Sequence, residues 1–263
     1  MRKRILKNIL KIVFFMLMLL LCFFVIMKCE GSEVSNKMHA WGFKREGSGK
    51  SPTFDKTANS IIEKYEGISV GNKDEKIIYI TFDCGYEAGY TEQILDVLKE
   101  NNVKASFFIT GHYLNSAEDI VKRMIEEGHI VGNHTVNHKC LPKVSDKEIE
   151  EEIRKLDTAL YQKFNYEMSY FRPPKGEFSE RVVKKIKEMG YTTVMWSSAY
   201  DDWDESKQNR EEYGTKKILE NLHNGCVLLL HSTSKDNANI LNNVIKEIKN
   251  QGYEIKNIDE FKW

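Results

Sequence analysis

The chain has 263 residues, 41 % of them hydrophobic, enough for one large α/β domain or two small ones with a sizeable core. Lys and Arg number 39, as do Asp and Glu, so the formal charge is zero and attraction to nucleic acid through net charge is excluded. Four prolines and no low-complexity tract mark the body as folded and globular.

The first thirty residues belong to another physical class. Arg2, Lys3, Arg4, Lys7 and Lys11 form a basic end before the apolar run Ile12 to Met27. Those 16 residues rise about 24 Å as a helix, against a hydrocarbon core of roughly 30 Å, so a secretory signal competes with a short anchor. No Ala-x-Ala cleavage pattern follows, and Lys28 before Cys29 argues against lipidation. The anchor is slightly favoured, and either way the positive-inside rule predicts an exported globular part. Residues 1–28 are assigned to signal or anchor, 29–61 to a polar linker and N-terminal arm, and 62–263 to one folded domain. Five cysteines at irregular spacing are not a disulfide framework. Cys22 and Cys29 lie in or beside the export segment and Cys226 is a small core residue, while a Cys84–Cys140 bridge stays open.

From Cys29 to Ile61 the chain is polar and aperiodic. Gly47-Ser48-Gly49-Lys50-Ser51 lacks the preceding strand that a phosphate loop needs and is read as linker. From Ile77 onward the period alternates between strand and helix. Ile77–Phe82 is a buried strand running into Asp83, Cys84 and Gly85. A helix near Glu92–Asn101 buries Ile94, Leu95 and Leu98, strand Ala105–Ile109 follows, and Asn115 with Glu118 caps the next helix. Strand His129–Asn133 stops at His134, and Ser145 with Glu148 opens a longer helix as a capping box. Phe171-Arg172 is a short strand, Ser179–Met189 a helix and Tyr191–Trp196 a strand. A helix near Glu211–His223, strand Cys226–Leu230 stopping at His231, a helix near Asn237–Asn250 and strand Tyr253–Ile255 complete the series. Roughly seven βα units predict an α/β fold built as a single (β/α) barrel, with an open doubly wound sheet as runner-up. Apolar strands ending in Asp or His place a site at the carboxyl edge.

His134 and His138 lie four apart, so a helical turn here aims both imidazoles at one metal ion, although paired histidines on helix faces are common. Taken singly, Asp83 beside Gly85 is an ordinary turn cap, and Arg172-Pro173-Pro174 a rigid surface bend. Asp201-Asp202-Trp203-Asp204 is by itself an acidic loop pinned by one aromatic. His231, at the end of a buried strand, requires a hydrogen-bond partner.

Together these segments resemble the polysaccharide deacetylase family, the NodB-type carbohydrate esterases, from about Ile77 to Tyr253 with five motifs in family order. The resemblance implies a NodB-like distorted TIM-type barrel that hydrolyses N-acetyl groups with a divalent metal, zinc being the first expectation. Thr81-Phe82-Asp83-x-Gly85 matches the first motif, which makes Asp83 the general base, and His134-x-x-x-His138 matches the metal pair. Arg172-Pro173-Pro174-x-Gly176 resembles the third, where the Arg orients the base. Asp202-Trp203 resembles the fourth, whose Asp orients the catalytic His, and Leu230-His231 the fifth, where that His is the general acid.

Two positions depart from the family. Cys84 stands where a third ligand, an Asp, is usual; it is a thiolate ligand or a small buried filler with the metal weakened or completed by water. Lys175 stands where Tyr is usual, but the implied oxyanion donor is its backbone N–H. The runs from Cys84 to Glu87, Arg172 to Glu180 and Leu230 to Ala238 resemble the branch of muramic δ-lactam de-N-acetylases. That implies a peptidoglycan glycan strand as partner and N-acetylmuramic acid, on the way to spore-cortex δ-lactam, as substrate. N-acetylglucosamine, chitooligosaccharide, or an inactive glycan-binding module are the alternatives. Tyr86 and Trp203 are candidate sugar-stacking residues or simply rim packing. A monomer is expected, with membrane contact only through an uncleaved N-terminus.

Overall fold

The computed structural model describes residues 11–18, 20 and 34–261, in two compact units that divide between Ser35 and Asn36. In the first, residues 11–18 and 20 are helical and belong to α1, with exposed apolar side chains. The rest of the run to Met27, with Cys22 and Cys29, lies outside the described residues, and no described helix is long and apolar enough to cross a membrane.

The second unit opens with β1 (His39–Ala40), β2 (Phe43–Lys44), β3 (Thr53–Phe54), α2 (Lys56–Lys64) and β4 (Ile77–Cys84). Next come α3 (Thr91–Glu100), β5 (Ser106–Ile109), α4 (Gly111–Ser116), α5 (Glu118–Glu126), β6 (Ile130–Asn133) and α6 (Asp146–Phe164). After β7 (Tyr170–Phe171), β8 (Glu177–Phe178), α7 (Glu180–Glu188) and β9 (Thr192–Thr193), the chain ends with α8 (Glu211–Glu220), β10 (Cys226–His231), α9 (Lys235–Asn250) and β11 (Glu254–Lys256).

The β-branched, aromatic run of β4 is buried along its whole length, as a strand covered on both faces must be. It pairs in parallel with β10 on one side and with β5 and β11 on the other, and the order continues β5-β6-β7-β9. The ring closes beyond β9, where the Ser197 N–H donates to Val227 O at 2.9 Å and the Leu229 N–H to Ser198 O at 2.8 Å. The expected single barrel is therefore present and distorted, because β7 and β9 are each only two residues long. The predicted strand Tyr191–Trp196 shrinks to Thr192–Thr193, its remainder following the barrel wall through isolated bridges.

Side-chain parity sorts β4 between two cores. Ile78, Ile80, Phe82 and Cys84 join the large cluster under the helices, whereas Ile77 and Tyr79 pack inside the barrel with Phe108, Val194 and Val227. Asp83 continues the inner row at its open end.

Two expectations need correction, and one open alternative is decided. Within the linker and N-terminal arm assigned to 29–61, the described residues form more regular structure than an aperiodic stretch suggested: β1 pairs with β8, and Trp41, 7 % exposed, packs on Phe54 and Phe178 while its Nε1–H donates to Trp196 O at 2.8 Å. Helix α2 straddles the boundary set at 61, burying Ala58, Ile61 and Ile62. Two-residue strands carry no period, so this layer left no periodic trace in the sequence. Asn115 caps nothing: it belongs to α4, capped by Thr110, and α5 is entered through Ala117 without a side-chain cap. Finally, Cys84 and Cys140 are both free thiols.

Candidate active site

Asp83 is the last residue but one of β4 and His231 the last of β10, and the parallel register sets the two Cα positions side by side. Arg172 follows β7 directly, and its fully buried guanidinium donates from Nη1 to Asp83 Oδ1 at 2.8 Å. Its Nε and Nη2 donate to Val194 O at 3.0 Å and Met195 O at 3.2 Å, and its Cζ lies 4.2 Å from the centroid of the Phe108 ring. That ring needs Gly132 beneath it, because a Cβ there would stand 2.7 Å from Phe108. Burial opposes charge on Asp83, but Arg172, with His134 and His231, outweighs it and holds the carboxyl below its ordinary range. Asp83 is thus ionised at neutral pH.

Asp202 lies in the loop after β9 and receives the His231 backbone N–H at Oδ2 (2.7 Å) and pairs with His231 Nδ1 at Oδ1 (2.9 Å). Burial disfavours the imidazolium, yet the Asp202 carboxylate dominates and raises His231 above its ordinary value. One strand end carries a carboxylate held ionised and its neighbour an imidazole whose protonated form is favoured.

His134 and His138 come together, with ring centroids 4.9 Å apart, but not on a helix. Thr135 (φ 68°) and His138 (φ 55°) are left-handed, so a tight turn replaces the helical turn expected from the spacing. The turn is pinned by Thr135 Oγ1, which accepts the His138 N–H at 2.8 Å, and by the buried Glu152 of α6, which accepts Asn137 N–H and Nδ2–H at 2.8 and 2.7 Å. His134 Nδ1 donates to Arg172 O at 2.8 Å, which turns Nε2 towards Asp83 Oδ2, 3.6 Å away.

A divalent metal fits the two imidazoles. Burial lowers His134 to about 4 and lowers His138 too, so both rings are neutral donors, and the Nδ1 bond of His134 is the usual orienting partner of a ligating histidine. Cys84 does not fit as their third partner. It is fully buried on the helix-facing side of β4, opposite in parity to Asp83, and burial pushes its thiol well above the ordinary range. The filler reading of Cys84 replaces the thiolate reading. Among the described residues no group of three His, Cys, Asp or Glu side chains is placed to hold a metal ion.

These groups face a cleft of about 620 Å³. Lys175, Tyr86 and Trp203 line it as well; Lys175 and Trp203 are exposed, Trp203 by 63 %. Lys175 adopts a left-handed backbone (φ 58°), and its N–H has no acceptor among the described residues. All the residues singled out from sequence thus converge on the cleft except Cys84, with Arg172 and Asp202 reaching it through Asp83 and His231. Glu152, Phe108 and Asn237, which bonds Asp202 at 2.6 Å, were missed. Only Asn237 left a trace, in the polar run that follows His231.

An acid, a base and two imidazoles at the carboxyl edge of a parallel barrel define a hydrolase, and residues 70–194 match the polysaccharide deacetylase family. The chain belongs to that family. Peptidoglycan-N-acetylmuramic acid deacetylase PdaA of Bacillus subtilis (strain 168) is 41 % identical over 232 residues, 88 % of either chain. The structure of Bacillus subtilis PdaA, a family 4 carbohydrate esterase, superposes with a TM-score of 0.84 at 42 % identity, covering 87 % of this chain and 98 % of that one. A family 4 carbohydrate esterase from Bacillus anthracis gives 0.74 at 38 % identity, covering 87 % and 97 %.

Proposed function

We propose that this polysaccharide deacetylase acts on peptidoglycan, removing the acetyl group of N-acetylmuramic acid on the way to the muramic δ-lactam of spore cortex. It works from outside the membrane, exported by its basic and apolar N-terminus and either anchored there or released to the wall. The observation that carries the reading is the Asp83–His231 strand pair, with each member held in its working protonation state by a buried partner. The kinship with the muramic acid deacetylase PdaA along 88 % of both chains supports the choice of sugar.

The chemistry follows from what an amide resists: water attack, oxyanion formation and departure of a poor leaving amine. A divalent metal, zinc by expectation, held by His134 and His138 would supply Lewis acidity at the acetyl carbonyl. Asp83, kept ionised by Arg172, takes the proton of the attacking water. The Lys175 N–H, without an acceptor among the described residues, donates to the oxyanion. His231, kept protonated by Asp202, delivers a proton to the departing nitrogen, giving amine and acetate. Tyr86 and Trp203 offer aromatic faces for neighbouring sugars.

The test is mass spectrometry of muramidase-digested peptidoglycan after treatment with the protein. Loss of acetyl from the muramic acid residues is expected. Loss from glucosamine alone would replace the substrate, and no loss with divalent metal supplied would leave a glycan-binding module.

A further inference from the structure

We infer that Asn237 is a positioning residue for this reaction: its side-chain amide fixes the Asp202 carboxylate against His231, and the Tyr200 hydroxyl fixes that amide in turn. The inference rests on the reading of His231 as proton donor.

Asn237 is the third residue of α9, whose N-cap is Ser234, and its own N–H is satisfied by Ser234 Oγ at 3.2 Å. The side chain is therefore free to turn back beneath the catalytic strand end. Nδ2 donates to Asp202 Oδ2 at 2.6 Å and to His231 O at 3.1 Å, while Oδ1 accepts the Tyr200 hydroxyl at 2.5 Å. Only this orientation of the amide satisfies all three partners, two acceptors and one donor.

The Asp202 carboxylate is wholly buried, and among the described residues its one ion-pair partner is His231. A buried carboxylate needs donors to stay charged. Here it has three, and two belong to His231 itself. Asn237 supplies the third, among the described residues the only one independent of the residue whose proton moves. The neighbouring Asp236 accepts the Asn209 and Arg210 N–H groups at 2.9 and 2.8 Å. Consecutive residues of one helical turn thus hold the loop from Tyr200 to Arg210 at both ends, with Asp202 inside it. Without the amide, Asp202 can rotate away and His231 loses the charge that keeps it protonated. The other charged or titratable groups that act on His231 are Asp83, Arg172 and, across the cleft, His138.

The experiment is an NMR titration of the imidazoles in the full chain, for wild type, Asn237→Ala and Tyr200→Phe, with kcat and KM on peptidoglycan measured beside it. The His231 midpoint is expected to fall by at least about half a pH unit in Asn237→Ala, and by less in Tyr200→Phe. In Asn237→Ala kcat falls about ten- to a hundredfold with KM unchanged. In an Asp202→Asn background neither substitution has a further effect, because the path through Asp202 is already cut. Wild-type midpoints in both variants, with the amide spectrum intact, overturn the inference; if Asn237→Ala does not fold, Tyr200→Phe decides alone. Absence of acetate release by the wild type would instead sink the deacetylase reading, and the NMR comparison would still judge Asn237.

Discussion

Asp83 and His231 are register partners on adjacent parallel strands, so one backbone ladder sets the spacing of the proposed base and acid. Each is then charged by a different buried group, Arg172 below the inner row and Asp202 from the loop after β9. The pair can address opposite sides of a single amide because the register sets both residues at the same level of the sheet.

Replacing Arg172 by Met should be costly. The Asp83 carboxylate would remain buried without its cation, and breaking such a pair costs about 3–5 kcal/mol. Urea unfolding should report a loss of that size, together with loss of acetate release. A loss under about 1 kcal/mol would mean that water or another group takes over from the guanidinium.

The pH profile should be a broad bell. Asp83 is depressed, so activity holds until the pH drops below the ordinary carboxyl value of about 4. His231 is raised, so its proton is retained beyond the ordinary imidazole value of about 6.5. Stability follows the same signs. The Asp83–Arg172 contribution is present above the unfolded carboxyl value and lost as pH falls through the folded one. The His231–Asp202 contribution is complete below the unfolded imidazole value and lost as pH rises through the folded one. Thermal melts of Asp202→Asn should therefore lose the wild-type decline on the alkaline side; an unchanged decline would assign it to another group.

Cys84→Ala should leave metal affinity within about threefold of wild type, since second-partner losses run about 10–100-fold and Cys84 faces the helices. Stability should drop by about 1 kcal/mol for the buried sulfur removed. Isothermal titration with zinc separates the cases, and a tenfold weaker site would restore the thiolate reading.

Trp203→Ala should raise KM for glycan about two- to tenfold, the equivalent of about 0.5–1.5 kcal/mol of stacking, with kcat little changed. Because the side chain is 63 % exposed, the melting temperature should hardly move. An unaltered KM would make it rim packing.

Much of this was legible because the long elements carry strong periods. The eight-residue β4 and the six-residue β10 announce themselves as apolar runs, and their polar endings mark the site. The strands of the arm were not legible, since β1 to β3 are two residues each and Trp41 is held in part by partners more than a hundred residues away, Phe178 and Trp196. The His134–His138 spacing looked helical because i,i+4 pairs usually are, whereas Thr135 and His138 in the left-handed region reach the same juxtaposition through a turn held by Glu152. Cys84 was not decided by the sequence, because the resemblance puts a ligand at that position; it is the structure that buries Cys84 in the helix-facing core, on the other side of β4 from Asp83. Ser145 and Glu148 formed the capping box their spacing promised, while the similar pattern at Asn115 failed because α4 had already claimed that residue.

The central claim is that Asp83 and His231 act together on one acetamido group. Acetate release from purified peptidoglycan by wild type, Asp83→Asn and His231→Gln tests it most directly, with zinc supplied and folding checked by circular dichroism. The account predicts release by wild type and a loss of about a hundredfold or more in each folded variant. Wild-type release by Asp83→Asn would contradict it.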